Sequence, residues 1–385
     1  MRNKTLKSCL GGLFGVALLS TSLGAYADEE NNLNIWNWSD YIGETTVADF
    51  ERDTGIAANH VLFDSNELVE ARLLSGSSGF DVIMMTSYYV PRLAQAGALA
   101  PFDKSKIPNY DKLDPERMSL LATVDPDNAY AIPYTEISLG IGYNTKKIAE
   151  IFGPDYKVDS WDFLFKPENS AKLKQCGIAV LESPVEVIST VQHYLQKDPN
   201  STNRADYNEA RDLLTALAQN VSYFHSSRYI NDLASGEICA AIGYSGDILQ
   251  ARDRARLAQR DYEIEYVFPK EGSLLWFDCW VLAKDAKHLD NAHAWVNYLL
   301  QGNVAASISN QIRYILPVTE ALAQLDPALK SNPSVNLSPE LLQKAYFPQA
   351  PSARLSKVHN TIWNYMKLHS ASQDEQAEQE ENAWQ

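Results

Sequence analysis

Asp278 stands in the run 275–282 (LWFDCWVL), flanked by Phe277 and Cys279 with a tryptophan two residues away on either side. A carboxylate in so apolar a stretch is carried into the interior and needs a hydrogen-bonding or cationic partner there. Other acids sit where the chain changes direction. Asp247 follows Gly246 at an expected strand-to-helix turn, where capping is the ordinary role. Glu186 completes 183–186 (SPVE), which reads as a capping box with Ser183 as the cap. Asp40 has a loop-capping reading, and Trp38 and Tyr41 taken alone read as packing residues. Carboxylates set among aromatics suit the capture of a cation, although most surface acids only keep a protein soluble.

Motifs for covalent chemistry are absent. The 385 residues contain no P-loop, no dinucleotide fingerprint, no H-E-x-x-H and no G-x-S-x-G. Residues 243–246 (GYSG) approach a nucleophile elbow without its final spacing, and 76–79 (GSSG) precedes a strand, the wrong side for cradling phosphate. Seven histidines are scattered, and no Cys/His cluster has metal-ligand spacing. This favours a binding protein over an enzyme, with no cofactor and no metal.

The charge points the same way. The chain has 33 Lys+Arg against 49 Asp+Glu, a net charge of −16. That argues against nucleic acid and anionic membranes, both of which need a basic footprint. Residues 1–27 read as a secretory signal peptide: Arg2, Lys4 and Lys7, then a short apolar stretch, then Ala25-Tyr26-Ala27. Their removal takes three bases and no acids, leaving −19. The expected product is exported, to a Gram-negative periplasm. Residues 371–385 carry five acids and no bases and read as a disordered tail.

Export makes cysteine pairing relevant. Cys176 precedes one expected strand (177–181) and Cys239 opens another (239–244), whereas Cys279 reads as core. Pairing Cys176 with Cys239 closes a loop of about 64 residues and stabilises by roughly 4 kcal/mol; three buried thiols are the alternative.

The elements that must position these side chains alternate. Strands are expected at 33–36, 61–63 and 82–85, with helices at 45–54, from Asp64 or Ser65 to 74, and from 86–87 onward. This first pattern runs to about Ala131. A second begins at 139–143, with strands at 178–181, 221–224, 239–244 and 264–268 and helices at 184–196 and 207–218. A strand at 275–282 follows, then helices at 288–300, 303–310, 341–346 and 355–369. Alternation with short turns means α/β lobes on mainly parallel sheets.

An ordered series of segments adds a resemblance: 37–42 (NWSDYI), 63–67 (FDSNE), 79–82 (GFDV), 132–134 (IPY), 142–144 (GYN), 159–161 (DSW), 223–227 (YFHSS), 242–247 (IGYSGD) and 268–272 (FPKEG). The series resembles the polyamine-binding periplasmic proteins of ABC transporters, most closely the putrescine-binding branch, over roughly 33–368. The resemblance implies a type II periplasmic binding fold, two α/β lobes joined by crossing strands with the ligand cleft between them. Lobe 1 is placed at 28–135 plus 267–318 and lobe 2 at 136–266 plus 319–370, with crossings near Pro133-Tyr134 and Phe268-Pro269.

A protonated diamine is an apolar chain with an ammonium at each end. Its site must supply carboxylates at the ends and aromatic walls along the methylenes. Carried over residue by residue, the family's ligand positions fall on Trp38, Ser39, Asp40, Tyr41, Thr86, Tyr88, Glu186, Tyr244, Asp247, Trp276, Asp278 and Tyr314. The resemblance implies that Asp247 and Asp278 pair with the ammoniums and that Glu186 binds the far amine. Trp38, Tyr244, Trp276 and Tyr314 form an aromatic box, and Ser39, Tyr41 and Thr86 complete the hydrogen bonding. The putrescine branch usually has Trp in place of Tyr244, Phe in place of Trp276 and a small residue in place of Tyr88. Trp276 and the run 86–89 (TSYY) look more like the spermidine-binding branch. Putrescine, spermidine, cadaverine and agmatine therefore stay open, the first two equally favoured. The expected partner is an inner-membrane ABC permease, served by a monomer. A polyamine sensor docking on a membrane receptor is the alternative, and a secreted hydrolase is the least favoured class.

Overall fold

The computed structural model describes residues 31–370 apart from 333, 334, 336 and 338. The expected signal peptide and acidic tail lie outside the described residues. No helix among them is long and apolar enough to cross a membrane.

Ten strands follow in chain order: β1 (Asn32–Trp38), β2 (Ala57–Phe63), β3 (Val82–Thr86), β4 (Leu99–Ala100), β5 (Ala131–Asn144), β6 (Ile178–Val180), β7 (Tyr223–Phe224), β8 (Ala240–Tyr244), β9 (Ile264–Val267) and β10 (Leu275–Ala283). Hydrogen bonding orders them β2-β1-β3-β10-β5-β8-β6-β7, with β4 on β10 and β9 on β5. The path bends into two α/β lobes at β5. Residues 131–138 of β5 pair with β10, and residues 139–144 pair with β8 and β9.

The sequence suggested a break between Ala131 and Leu139, but β5 is one strand of 14 residues. Pro133 lies in this span, and proline cannot donate to a ladder. The chain accommodates it with a bulge. Asp278 faces Thr135 and Cys279 faces Pro133, so Tyr134 is left over. A bulge bends a strand and re-aims its side chains, and here it lies beside Asp278.

Local signals set the surrounding elements. Gly55, in the left-handed region at φ 74°, ends the Thr46–Thr54 helix, and the Ser65 hydroxyl caps Asn66–Leu74 by accepting from the Leu68 N–H. Every residue of β3 and β10 is buried. Residues 86–87 open a 3₁₀ turn (Ser87–Tyr89) before the Val90–Gln95 helix. The helix expected over 341–346 is only Pro339–Leu342, after which Tyr346 bridges to Leu274.

Two segments connect the lobes besides β5. One runs from β9 to β10. The other returns late in the chain. Residues 319–330, expected in lobe 2, pack on lobe 1: Thr319–Gln324 lies against the Gly302–Ile312 helix, and Arg313 reaches Asp326 at 2.9 Å. The Ala353–Leu368 helix then covers Pro184–Tyr194 and Asn208–Ala218 in lobe 2.

The Cys176–Cys239 disulfide forms, with Cα atoms 5.4 Å apart, and Cys279 is a buried free thiol. Parallel pairing of Ile178 with Ala240 brings the two cysteines together just upstream of their strands.

Candidate functional site

The lobes meet around a cavity of about 360 Å³. Lobe 1 presents the ends of β1, β3 and β10. Trp38, Ser39 and Tyr41 follow β1, Thr86 ends β3 with Tyr88 just beyond, and Trp276 and Asp278 lie on β10. Tyr314 follows the Gly302–Ile312 helix. Lobe 2 presents Tyr244 at the end of β8, Asp247 in the first turn of the Ser245–Leu257 helix, and Glu186 in the first turn of Pro184–Tyr194. All of these line the cavity. Ligand sites of open α/β sheets lie at carboxyl ends of strands, here those of β1, β3 and β8, and antiparallel β10 adds residues from its amino end.

Each of the three carboxylates is held by hydroxyl donors. Asp278 Oδ1 accepts from Thr86 Oγ1 at 2.9 Å, and Asp278 and Thr86 are direct cross-strand partners. Asp247 accepts from Tyr229 at 2.7 Å and from Tyr314 at 2.8 Å. Glu186 accepts from Tyr88 at 3.1 Å and from Tyr244 at 2.8 Å. The Tyr314–Asp247 and Tyr88–Glu186 bonds cross from one lobe to the other, so the cleft is closed.

Aromatic rings form the walls. Tyr244 from lobe 2 meets Trp276 from lobe 1 edge to face at 5.8 Å, and Tyr88 stands against the same indole at 6.3 Å. Tyr314 packs on Tyr41 at 5.4 Å. Tyr314 also presses on Gly246, where an added Cβ would sit 2.3 Å from the ring.

Burial dominates the electrostatics. It pushes the Glu186 carboxyl up to about 7 and those of Asp247 and Asp278 up to about 6, against the opposing pull of the hydroxyl donors. The Trp38 and Trp276 indole N–H groups also favour ionised Asp278, without closing a hydrogen bond. Among the described residues no lysine or arginine lines the cavity; its lining includes His225 and three further acids, Asp64, Glu67 and Glu182. Carboxylates raised by desolvation, with no ion pair of their own and only Arg254 acting on Asp247 from beyond the cavity, are arranged to receive a positive charge from elsewhere. Among the described residues, no three His, Cys, Asp or Glu side chains cluster as metal ligands.

Asp40 is the one expected site residue that the structure places outside the cavity. Its backbone is left-handed, at φ 52°, and its exposed side chain reaches Arg254 of lobe 2 at 3.3 Å. The capping box also gives way: Ser183 makes no side-chain cap, and Glu186 turns to the two tyrosines. Asp247 does not cap its helix either, being already inside the first turn.

Tyr229 was not among the expected residues. It is fully buried, donates to Asp247 and accepts the Tyr244 backbone N–H at 3.1 Å. The sequence signal was its position two residues after the segment 223–227. Asn66, inside the segment 63–67, also lines the cavity.

Comparison with known proteins agrees with this architecture. Residues 45–336 match the family model described as bacterial extracellular solute-binding protein. The chain is 42% identical over 362 residues to the putrescine-binding periplasmic protein PotF of Escherichia coli (strain K12), covering 94% of this chain and 98% of that protein. It is 39% identical over 361 residues to the putrescine-binding periplasmic protein SpuD of Pseudomonas aeruginosa (strain UCBPP-PA14), covering 92% and 98%. Among solved structures, the spermidine/putrescine ABC transporter substrate-binding protein PotD of Streptococcus pneumoniae superposes with a TM-score of 0.72 at 25% identity, over 88% of this chain and 99% of that one. The chain belongs to the bacterial extracellular solute-binding protein family.

Proposed function

We propose that the protein captures a polyamine, putrescine or spermidine, in the periplasm and delivers it to an ABC-transporter permease without chemical turnover. One observation carries the reading: three desolvated carboxylates, buried Glu186 and Asp278 and half-buried Asp247, from both lobes, share an aromatic-walled cavity whose lining among the described residues includes no lysine or arginine. An α,ω-diamine satisfies this arrangement, with ammoniums on the carboxylates and methylenes between Trp38, Tyr244, Trp276 and Tyr314. The names of relatives alike over nearly their full length support it. In the proposed binding set, Ser39, Tyr41, Thr86 and Tyr88 supply or hold the remaining polar contacts, and Asp40 serves the rim. The protein acts as a monomer after loss of residues 1–27. Calorimetric titration of the mature protein with putrescine and with spermidine tests the reading. Failure of both to bind more tightly than about 1 mM, only some 4 kcal/mol, would overturn it.

A further inference from the structure

Ser65 and Asn66 begin the Asn66–Leu74 helix, and their side chains have different tasks. The Ser65 hydroxyl accepts the Leu68 N–H at 3.2 Å, which supplies the cap. The Asn66 side chain points away from that duty. Its Nδ2 donates to Thr86 Oγ1 at 3.0 Å, and its Oδ1 is buried without a partner. The residue is only 9% exposed. A buried amide with one end engaged and the other unpaired is a costly arrangement for helix packing alone.

The chemistry of Thr86 explains what the arrangement achieves. A hydroxyl has one proton and two acceptor lone pairs. Ionised Asp278 can only accept, so Thr86 must donate to it across the 2.9 Å contact. The Thr86 oxygen must then accept from its other neighbour. That orients Asn66 with its NH₂ toward Thr86 and fixes the Thr86 proton on Asp278 Oδ1, leaving Oδ2 for another donor. Asn66, Thr86 and Asp278 are each no more than 9% exposed, which strengthens the bonds among them.

We propose that Asn66 is a positioning residue of the cleft, acting through Thr86: its amide occupies the acceptor side of the Thr86 hydroxyl and commits that hydroxyl to Asp278. The proposal rests on the polyamine reading for its effect on affinity, and on geometry alone for its effect on Asp278. The other groups that face Asp278 are Tyr41, with Asp247 beyond it, and the Trp38 and Trp276 indoles; Cys279 adjoins it. None lies on the helix that carries Asn66, so they stay constant across the variants below.

The test compares Asn66→Ala, Thr86→Val, Thr86→Ser and the two double variants in the mature protein. Putrescine and spermidine affinities are measured by calorimetry, and the Asp278 carboxyl is titrated by carbon-13 NMR without ligand. Asn66→Ala should weaken binding about tenfold, the scale of one buried hydrogen bond, and raise the pH at which Asp278 titrates. In the Thr86→Val background Asn66→Ala should have no further effect on either readout, whereas in the Thr86→Ser background its effect should return. Equal losses in both backgrounds, or an Asp278 titration unmoved by Asn66→Ala, would overturn the proposal. If neither amine binds the wild-type protein, the polyamine reading fails and the ligand-free titration still decides the role of Asn66.

Discussion

Acidification is the most direct perturbation of the three desolvated carboxylates. In the ligand-free cleft, Glu186 titrates near 7 and Asp247 and Asp278 near 6, because burial disfavours their charged forms. Primary amines titrate at about 10.4, so a diamine stays doubly charged throughout the acid range. Its ammoniums favour ionised carboxylates, so a proton held by the free protein must leave when the ligand binds. Binding therefore weakens as pH falls through the free-protein values. For a group titrating near 6 the loss at pH 5 is about tenfold, and for one near 7 about a hundredfold. A ligand engaging only the two aspartates should bind about 100-fold more weakly at pH 5 than at pH 8, and one that also engages Glu186 about 10⁴-fold. Calorimetry at pH 6 in buffers of different ionisation enthalpy should record about one proton released from the aspartate pair per ligand. Affinity constant from pH 5 to 8, or net proton uptake, would refute the assignment of these carboxylates to the ligand.

Removing either ion-pairing carboxylate, Asp247→Ala or Asp278→Ala, should cost about 2–5 kcal/mol of polyamine binding by leaving an ammonium unpaired, measured by calorimetric titration; near-normal affinity in both variants would reject the site. Gly246→Ala places a Cβ 2.3 Å from the Tyr314 ring. The ring must give way and release Asp247, so affinity should fall about tenfold while small-angle scattering shows a more open molecule with ligand present. Replacing Cys176 and Cys239 with serine should lower unfolding free energy by roughly 4 kcal/mol in denaturant melts and leave affinity nearly unchanged, because the bridge lies at the opposite strand ends from the cleft.

The parts legible in the sequence were those written in local pattern. The strand at 82–85, the Gly55 stop and the Ser65 cap each follow from a few neighbouring residues. Asp278 was legible for a related reason, since no ordinary core strand carries an unpartnered acid. The continuity of β5 was not legible because its bulge at Tyr134 depends on the facing strand β10. Residues 183–186 carry a capping box in their spacing, yet Glu186 binds two tyrosines, Tyr88 and Tyr244, from distant segments. No local pattern encodes that choice. Tyr229 and Asn66 escaped notice because each acts on a residue remote in sequence, and an isolated tyrosine or asparagine carries no spacing to read. Asp40 belonged to a cleft-lining segment, but its left-handed backbone turns it to the rim.

The absence of lysine and arginine from the cavity wall has a consequence for chemical discrimination. An α-amino acid such as ornithine differs from the diamine of the same chain length by one carboxylate. In this cleft that carboxylate would face Asp247, Asp278 or Glu186 with no guanidinium or ammonium to receive it. Repulsion at such distances in a desolvated site outweighs the contacts of a shared methylene chain. The cleft should thus sort amines from amino acids by the sign of a single group, without a steric gate.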